Sequence, residues 1–116
     1  MTIFGLSQTN GAERTLDAER TAAGLRLRSS DGKGNRDGDA IQVDGGALIA
    51  ALIDRPADRT TIRGTDASGA APKLLDVAVR GNEVQLWVRT EMGTGWDVAV
   101  GLDDLQDALE AAGDAA

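Results

Sequence analysis

The chain has no cysteine, no histidine and no tyrosine. Without cysteine there is neither a disulfide nor a thiolate metal site. Without histidine the commonest general base and the commonest transition-metal ligand are missing. Aromatic residues number three, Phe4, Trp87 and Trp96, and only two of the twelve cations are lysine. The ten arginines, with abundant Ala and Gly, read as high-GC coding bias and not as mechanism. No apolar run approaches the roughly 18 residues of a membrane span, and the N-terminal stretch lacks a signal-peptide pattern. A cytoplasmic location with no membrane partner is expected.

What is present suits one domain with a modest core: 116 residues, 41% of them hydrophobic. The net charge is −7 and is unevenly spread. Residues 1–58 carry 7 basic and 9 acidic groups, residues 59–116 carry 5 and 10, and from Gly101 onward every charged residue is acidic. Such a chain is poorly attracted to phosphates over its whole surface.

The stretch "DGKGNRDGD" at 31–39 has the composition of a metal-binding loop. Calcium loops of the helix–loop–helix kind place oxygen ligands at positions 1, 3 and 5, glycine at 6 and a bidentate Glu at 12. With Gly38 at position 6, Asn35, Asp37 and Asp44 fall at 3, 5 and 12, but position 1 is Lys33, a cation. The preceding "GLRLR" alternates like a strand, not a helix. A polar connection without metal is expected, since Gly and Asp tolerate turn conformations.

Self-similarity runs along the chain. "TIFG" at 2–5 meets "TIRG" at 61–64, an offset of 59 that also aligns Leu16-Asp17 with Leu75-Asp76, Leu25 with Val84 and Leu27 with Leu86. Beyond the 31–39 loop, which faces the shorter "TEMGTG", the offset is 57: Val43 meets Val100, Leu48 meets Leu105, and Ala51-Leu52 meet Ala108-Leu109. In the second half, "KLLDVAVRG", "EVQLWVRT" and "WDVAV" alternate as strands, with Gly81-Asn82 as a turn. "GLDDLQDALEAAG" has Leu102, Leu105 and Leu109 at helical spacing. The first half reads likewise, with a helix from Asp44, a plausible N-cap, to Asp54, ended by Arg55-Pro56. Residues 12–23 read as strand by the repeat but as a short helix by the Asn10/Glu13 spacing of a capping box. The expected architecture is α+β: one domain, 1–116, of two ββββα repeats at about 1–58 and 59–116, an antiparallel sheet with two helices packed on one face.

"ALIAALI" is apolar nearly all round, so Ile49 and Ile53 are expected to be covered, within the chain or at a subunit contact of a homodimer. Gly45-Gly46 at this helix start suggests close strand–helix packing rather than an anion cradle, because no Lys or Arg stands beside it. Alternation puts Trp96 in the core. It turns Arg26 and Arg28 of "LRLR", Gln85, Trp87 and Arg89 of "VQLWVR", and Arg80, to the other side. Arg and Trp are favoured at contact surfaces.

A ββββα unit used twice resembles the PC4/Whirly-like single-stranded nucleic-acid binders, including the Pur domains. The stretch "LRLRSSDGKGNRDGDAIQVDGGALIAALI" carries the resemblance: strand, long Gly-rich loop, strand, helix. The resemblance implies single-strand binding over a sheet surface. The leading expectation is nevertheless a non-enzymatic module, without metal or cofactor, that binds a protein partner through the Arg/Trp face or the acidic second helix. Single-stranded nucleic acid on the same face is the alternative, and acidic mimicry of DNA a variant weakened by the ten arginines. Hydrolysis by carboxylate pairs such as Asp37/Asp39 or Asp103/Asp104 is disfavoured, because neighbouring acids diverge and solvate a surface.

Overall fold

In the computed structural model the described residues are 2–8, 11–21, 24–31, 40–54, 58–66, 69–90 and 93–114. Eight strands and two helices follow in the order ββββα, ββββα. They are β1 (Thr2–Leu6), β2 (Glu13–Thr21), β3 (Gly24–Asp31), β4 (Ile41–Val43), α1 (Gly45–Asp54), β5 (Thr60–Asp66), β6 (Pro72–Arg80), β7 (Glu83–Thr90), β8 (Gly93–Gly101) and α2 (Leu102–Asp114). Every strand is antiparallel to its neighbours in sequence, and β8 returns to pair with β1. The result is a closed barrel, with 62% of the described residues in strands. This corrects the expected α+β architecture: no open sheet face remains for helices to lie on.

The ring closes because the two repeats pair in the same way at both junctions. Val43 of β4 stands opposite Gly64 of β5, and Val100 of β8 opposite Gly5 of β1. Within the halves, Ile3 meets Leu16 as Ile62 meets Leu75, and Leu27 meets Ile41 as Leu86 meets Val98. All these pairs are related by the offsets of 59 and 57. If β4 reaches the next repeat in this register, β8 reaches the first repeat in the same one, and no edge is left.

Gly5 and Gly64 make that approach possible. A Cβ on Gly5 would lie 2.3 Å from the Ala99 carbonyl oxygen and 2.7 Å from Val100 Cγ1. On Gly64 it would lie 2.3 Å from the Gln42 carbonyl oxygen and 2.9 Å from Val43 Cγ1. Gly45 and Gly46 are different: their nearest non-neighbouring atoms would be 3.7 and 3.6 Å away, so strand–helix packing does not require them.

Period-2 alternation fills the lumen. Leu16, Leu25, Leu27, Ile41, Val43, Leu75, Val77, Val84, Leu86, Val88, Trp96, Val98 and Val100 form one core. Trp96 is buried in it on the same parity as Val98 and Val100; next to it the register between β7 and β8 shifts, Trp87 facing Asp97 but Arg89 facing Thr94, which leaves β8 one extra residue. Residues 13–21 are strand, not helix, in register with both β1 and β3.

Both helices follow even-numbered strands, which run the same way, so both start at the same end of the barrel. Leu48, Ala51 and Leu52 of α1 and Leu102, Leu105, Ala108 and Leu109 of α2 join the core and close that end. Asp44 caps α1, its Oδ1 accepting the Gly46 N–H at 3.2 Å. An end plug buries one side only. Ile49 and Ile53 are therefore 46% and 71% exposed, which corrects the expectation that the chain covers them. Residues 32–39, which hold the calcium-like spacing, and Arg55-Pro56 lie outside the described residues.

Gly5→Ala and Gly64→Ala should each lower stability by about 2–3 kcal/mol in denaturant unfolding, because backbone must move to admit the methyl. Gly46→Ala should be neutral, or stabilising by up to about 1 kcal/mol.

Candidate functional site

The outward positions of β5, β6, β7, β8 and β1 make one wall. Trp87 is at its centre, in register with Asp76 on β6 and Asp97 on β8. The Arg59 guanidinium stacks over its ring, 4.0 Å from the centroid. Asp76 is only 2% exposed although it points out of the barrel. Its Oδ2 is 2.6 Å from Arg89 Nε, and its Oδ1 accepts from Arg89 Nη2 at 2.9 Å and from the Thr61 hydroxyl at 2.7 Å. Burial pushes the Asp76 carboxyl up. The hydrogen bonds from Arg89 and Thr61, with the charges of Arg89 and Arg59, outweigh it and hold the group below its ordinary value.

Further round, at the β8–β1 junction, the ladder is only two pairs long. Side chains continue it. Asp97 Oδ1 accepts the Gln8 backbone N–H at 2.7 Å and the Ser7 hydroxyl at 3.2 Å, and Gln8 Nε2 donates to the Leu86 carbonyl at 3.3 Å. Beside this junction Phe4 is 78% and Leu6 51% exposed. Leu6 stands opposite Ala99, which stands opposite Gln85. A shallow groove of about 290 Å³ runs there between Leu6, Ala99, Gln85 and Glu83.

Arg26 and Arg28 lie elsewhere. They point out of β3, four strands from β7 in a ring of eight, so closure puts them on the opposite side from Gln85, Trp87 and Arg89. Alternation does turn all of them outward, but no single face holds both sets. Arg26 is ion-paired with Glu19, its cross-strand neighbour, and Arg28 stands in register with Asp17. The hydrogen bond from Arg26, then its charge, holds the Glu19 carboxyl below its ordinary value. Arg80 is exposed at the helix end of β6, in register with Glu83. Ile49 lines a separate cleft of about 170 Å³ with Arg20, Asp44 and Leu109.

Sequence reasoning missed Phe4, Leu6, Arg59, Thr61 and Asp76. The signal for the first two was the alternation of "TIFGL", where Ile3 and Gly5 face inward and leave Phe4 and Leu6 outside. Asp76 was visible as a lone acid inside an apolar strand. Arg59 precedes its strand and carries no periodic signal.

No protein family, curated protein or solved structure matches this chain. Among the described residues no group of three His, Cys, Asp or Glu is placed to hold a metal ion, and no helix is long and apolar enough to cross a membrane.

A carboxyl held below its unfolded value adds stability that is fully present above the ordinary carboxylate range and is lost as pH falls through the folded value. Arg89→Met should therefore cost about 1–2 kcal/mol at pH 7, leaving Asp76 ionised with fewer donors. The difference from wild type should shrink as the pH falls below the ordinary carboxylate range, where Asp76 becomes protonated and no longer needs its counter-charge. Urea titrations of both proteins from pH 7 to pH 3 measure this.

Proposed function

We propose that the chain is a non-enzymatic binding module that engages a protein partner through the outer wall of β6, β7, β8 and β1. Trp87, backed by Arg59, and the exposed pair Phe4 and Leu6 are its apolar anchors, and Gln85, Arg80 and Arg89 its polar surround. The supporting observation is the difference between repeat-related positions. Outside the β4–β5 junction stand Gln42, Arg63 and Thr65. At the matching positions outside the β8–β1 junction stand Ala99, Phe4 and Leu6. One backbone accommodates both sets, so the barrel itself does not demand an exposed apolar junction. Unpartnered apolar surface of this kind marks contact sites.

Single-stranded nucleic acid on the same wall is the alternative. It draws less support, because Arg89 is neutralised by Asp76 and Arg26 by Glu19, and phosphate binding needs cations to spare. Binding that weakens steeply with salt favours nucleic acid; binding that depends little on salt favours an apolar protein contact.

With a partner in hand, Trp87→Ala combined with Leu6→Ser should reduce affinity at least about tenfold, the loss of two buried anchors. Arg26→Ala with Arg28→Ala, on the far side, should leave affinity within about twofold. Undiminished binding by the first variant, with both proteins folded, removes this wall from consideration.

We also propose Ile49 and Ile53 as the contact of a homodimer. Ile49→Asp should halve the mass measured by light scattering without a loss of thermal stability beyond about 0.5 kcal/mol, since the position is exposed in the single chain.

A further inference from the structure

The charge at the β8–β1 junction is as one-sided as its apolar surface. Among the described residues, the outward positions of β7, β8, β1 and β2 hold one cation, Arg89, and Asp76 neutralises it. The same strands turn five carboxylates outward. Glu19 is paired with Arg26, Asp17 stands in register with Arg28, and Asp97 accepts the Gln8 N–H. Glu13 and Glu83 are different. Both are exposed, and neither has an ion pair among the described residues. Glu83 accepts from Gln85 Nε2 at 3.0 Å; Arg80 stands in register with it but forms no ion pair. Next to β8 comes α2, which packs under β2, β1, β8 and β7. Its outer face adds Asp103, Asp104, Asp107 and Glu110, all exposed. Phe4 lies one step past the Gly5–Val100 pair, at that same end.

Leu6 separates two grooves. One, of about 490 Å³, runs past Phe4 and Leu6 to Glu13. The other, of about 290 Å³, runs past Leu6, Ala99 and Gln85 to Glu83. Each combines an apolar wall with one exposed carboxylate. Lys and Arg side chains have the matching form, an apolar stem that packs on carbon and a charged head that stays at the rim.

None of this recurs at the repeat-related junction. By the offsets of 59 and 57, Arg63 and Thr65 stand for Phe4 and Leu6, and Pro72 and Gly24 for Glu13 and Glu83. Gly46, Ala47, Ala50 and Ile53 stand for the four acids of α2. The apolar residues and the carboxylates occur together at one junction and are absent together at the other. The barrel closes at both, so closure requires neither.

Given the outer-wall contact proposed above, we infer that its protein partner presents a basic segment. Two Lys or Arg stems lie in the grooves flanking Leu6, with their heads at Glu13 and Glu83, and the acidic face of α2 favours the approach. Two rim pairs give a much shallower salt dependence than a face that neutralises many phosphates.

The test needs no natural partner. A labelled peptide of alternating Arg and Ala is titrated with the full-length protein and followed by fluorescence anisotropy, beside peptides carrying Gln or Glu in place of Arg. The Arg peptide should bind at least about fivefold more tightly than the Gln peptide, and the Glu peptide should not bind. Glu13→Gln with Glu83→Gln should remove that preference, and Leu6→Ser should weaken the Arg peptide at least about threefold. Glu13→Lys with Glu83→Lys should reverse the order of the Arg and Glu peptides. That variant is still acidic overall, so a preference for Arg that survives in it is general attraction and overturns the inference. Absence of Arg-peptide binding overturns it too. Equal binding of the Arg and Gln peptides, both weakened by Leu6→Ser, overturns the basic partner but leaves the outer wall standing. Arg-peptide binding that neither Leu6→Ser nor the glutamate variants alter removes both.

Discussion

Closure of the barrel rests on the close approach of two strands at two places. β4 must lie against β5, and β8 against β1, near enough for Val43 to cover Gly64 and Val100 to cover Gly5. Side chains at positions 5 and 64 would occupy the space of a neighbouring carbonyl oxygen. The rest follows from that contact. With both junctions closed, the apolar side of every strand has one shared interior to fill, and the helices that follow β4 and β8 have one place to go, the end of the lumen. Had the β8–β1 junction stayed open, β1 and β8 would present unpaired edges, and Phe4 and Leu6 would lie on an edge strand prone to pairing with other chains.

Duplication also separates what the fold needs from what it merely tolerates. The features shared by the repeats are interior or at the junctions: Ile3 and Ile62, Leu16 and Leu75, Leu27 and Leu86, Gly5 and Gly64, Leu48 and Leu105. Burial explains the apolar ones, and close strand approach the two glycines. The features that differ are outside. Asp17 and Asp76 are repeat-related carboxylates, yet only Asp76 is sealed beneath an arginine and a hydroxyl. That network fixes the outer surface beside Trp87, because Asp76 ties β5 to β7 across β6. A wall so tied presents Trp87 and Arg59 with little conformational entropy left to lose on binding.

Much of the chain was legible in its sequence, and the part that was not has a definite physical cause. Alternation placed the strands and sorted inside from outside, because a half-buried strand obeys the same period whether its sheet is open or closed. For that reason it could not report closure. The closing contact is two residue pairs long at β8–β1, too short to leave a pattern. Its trace was the glycine of the repeated "TIFG" and "TIRG", readable as a steric requirement only once the neighbouring strand is in view. The same gap misplaced the Arg/Trp set. Parity correctly turned Arg28 and Trp87 outward, but on a ring of eight, strands four apart look in opposite directions. β2 was the weakest strand to read because its inward residues include Arg14 and the small Ala18, which interrupt the apolar period. For α1, an all-apolar helix predicts burial all round in a packed layer. A helix that plugs a barrel end has only one side to bury, so Ile49 and Ile53 are left out.

The two junctions differ in a way that single-chain stability does not account for. At β4–β5, Gln42 is buried and bridged: its Oε1 accepts from the Thr21 hydroxyl at 2.9 Å and its Nε2 donates to the Asp66 carbonyl at 3.2 Å. That arrangement ties three strands together and leaves nothing apolar in water. At β8–β1 the matching residue is Ala99, which can bridge nothing, and Phe4 and Leu6 beside it stay in solvent. Apolar area left exposed forgoes roughly 25 cal/mol per Å² that burial returns. The polar solution fits the same backbone and serves the folded chain better. Retention of the apolar one at a single junction is what the proposed protein contact on the outer wall from Phe4 to Trp87 would account for.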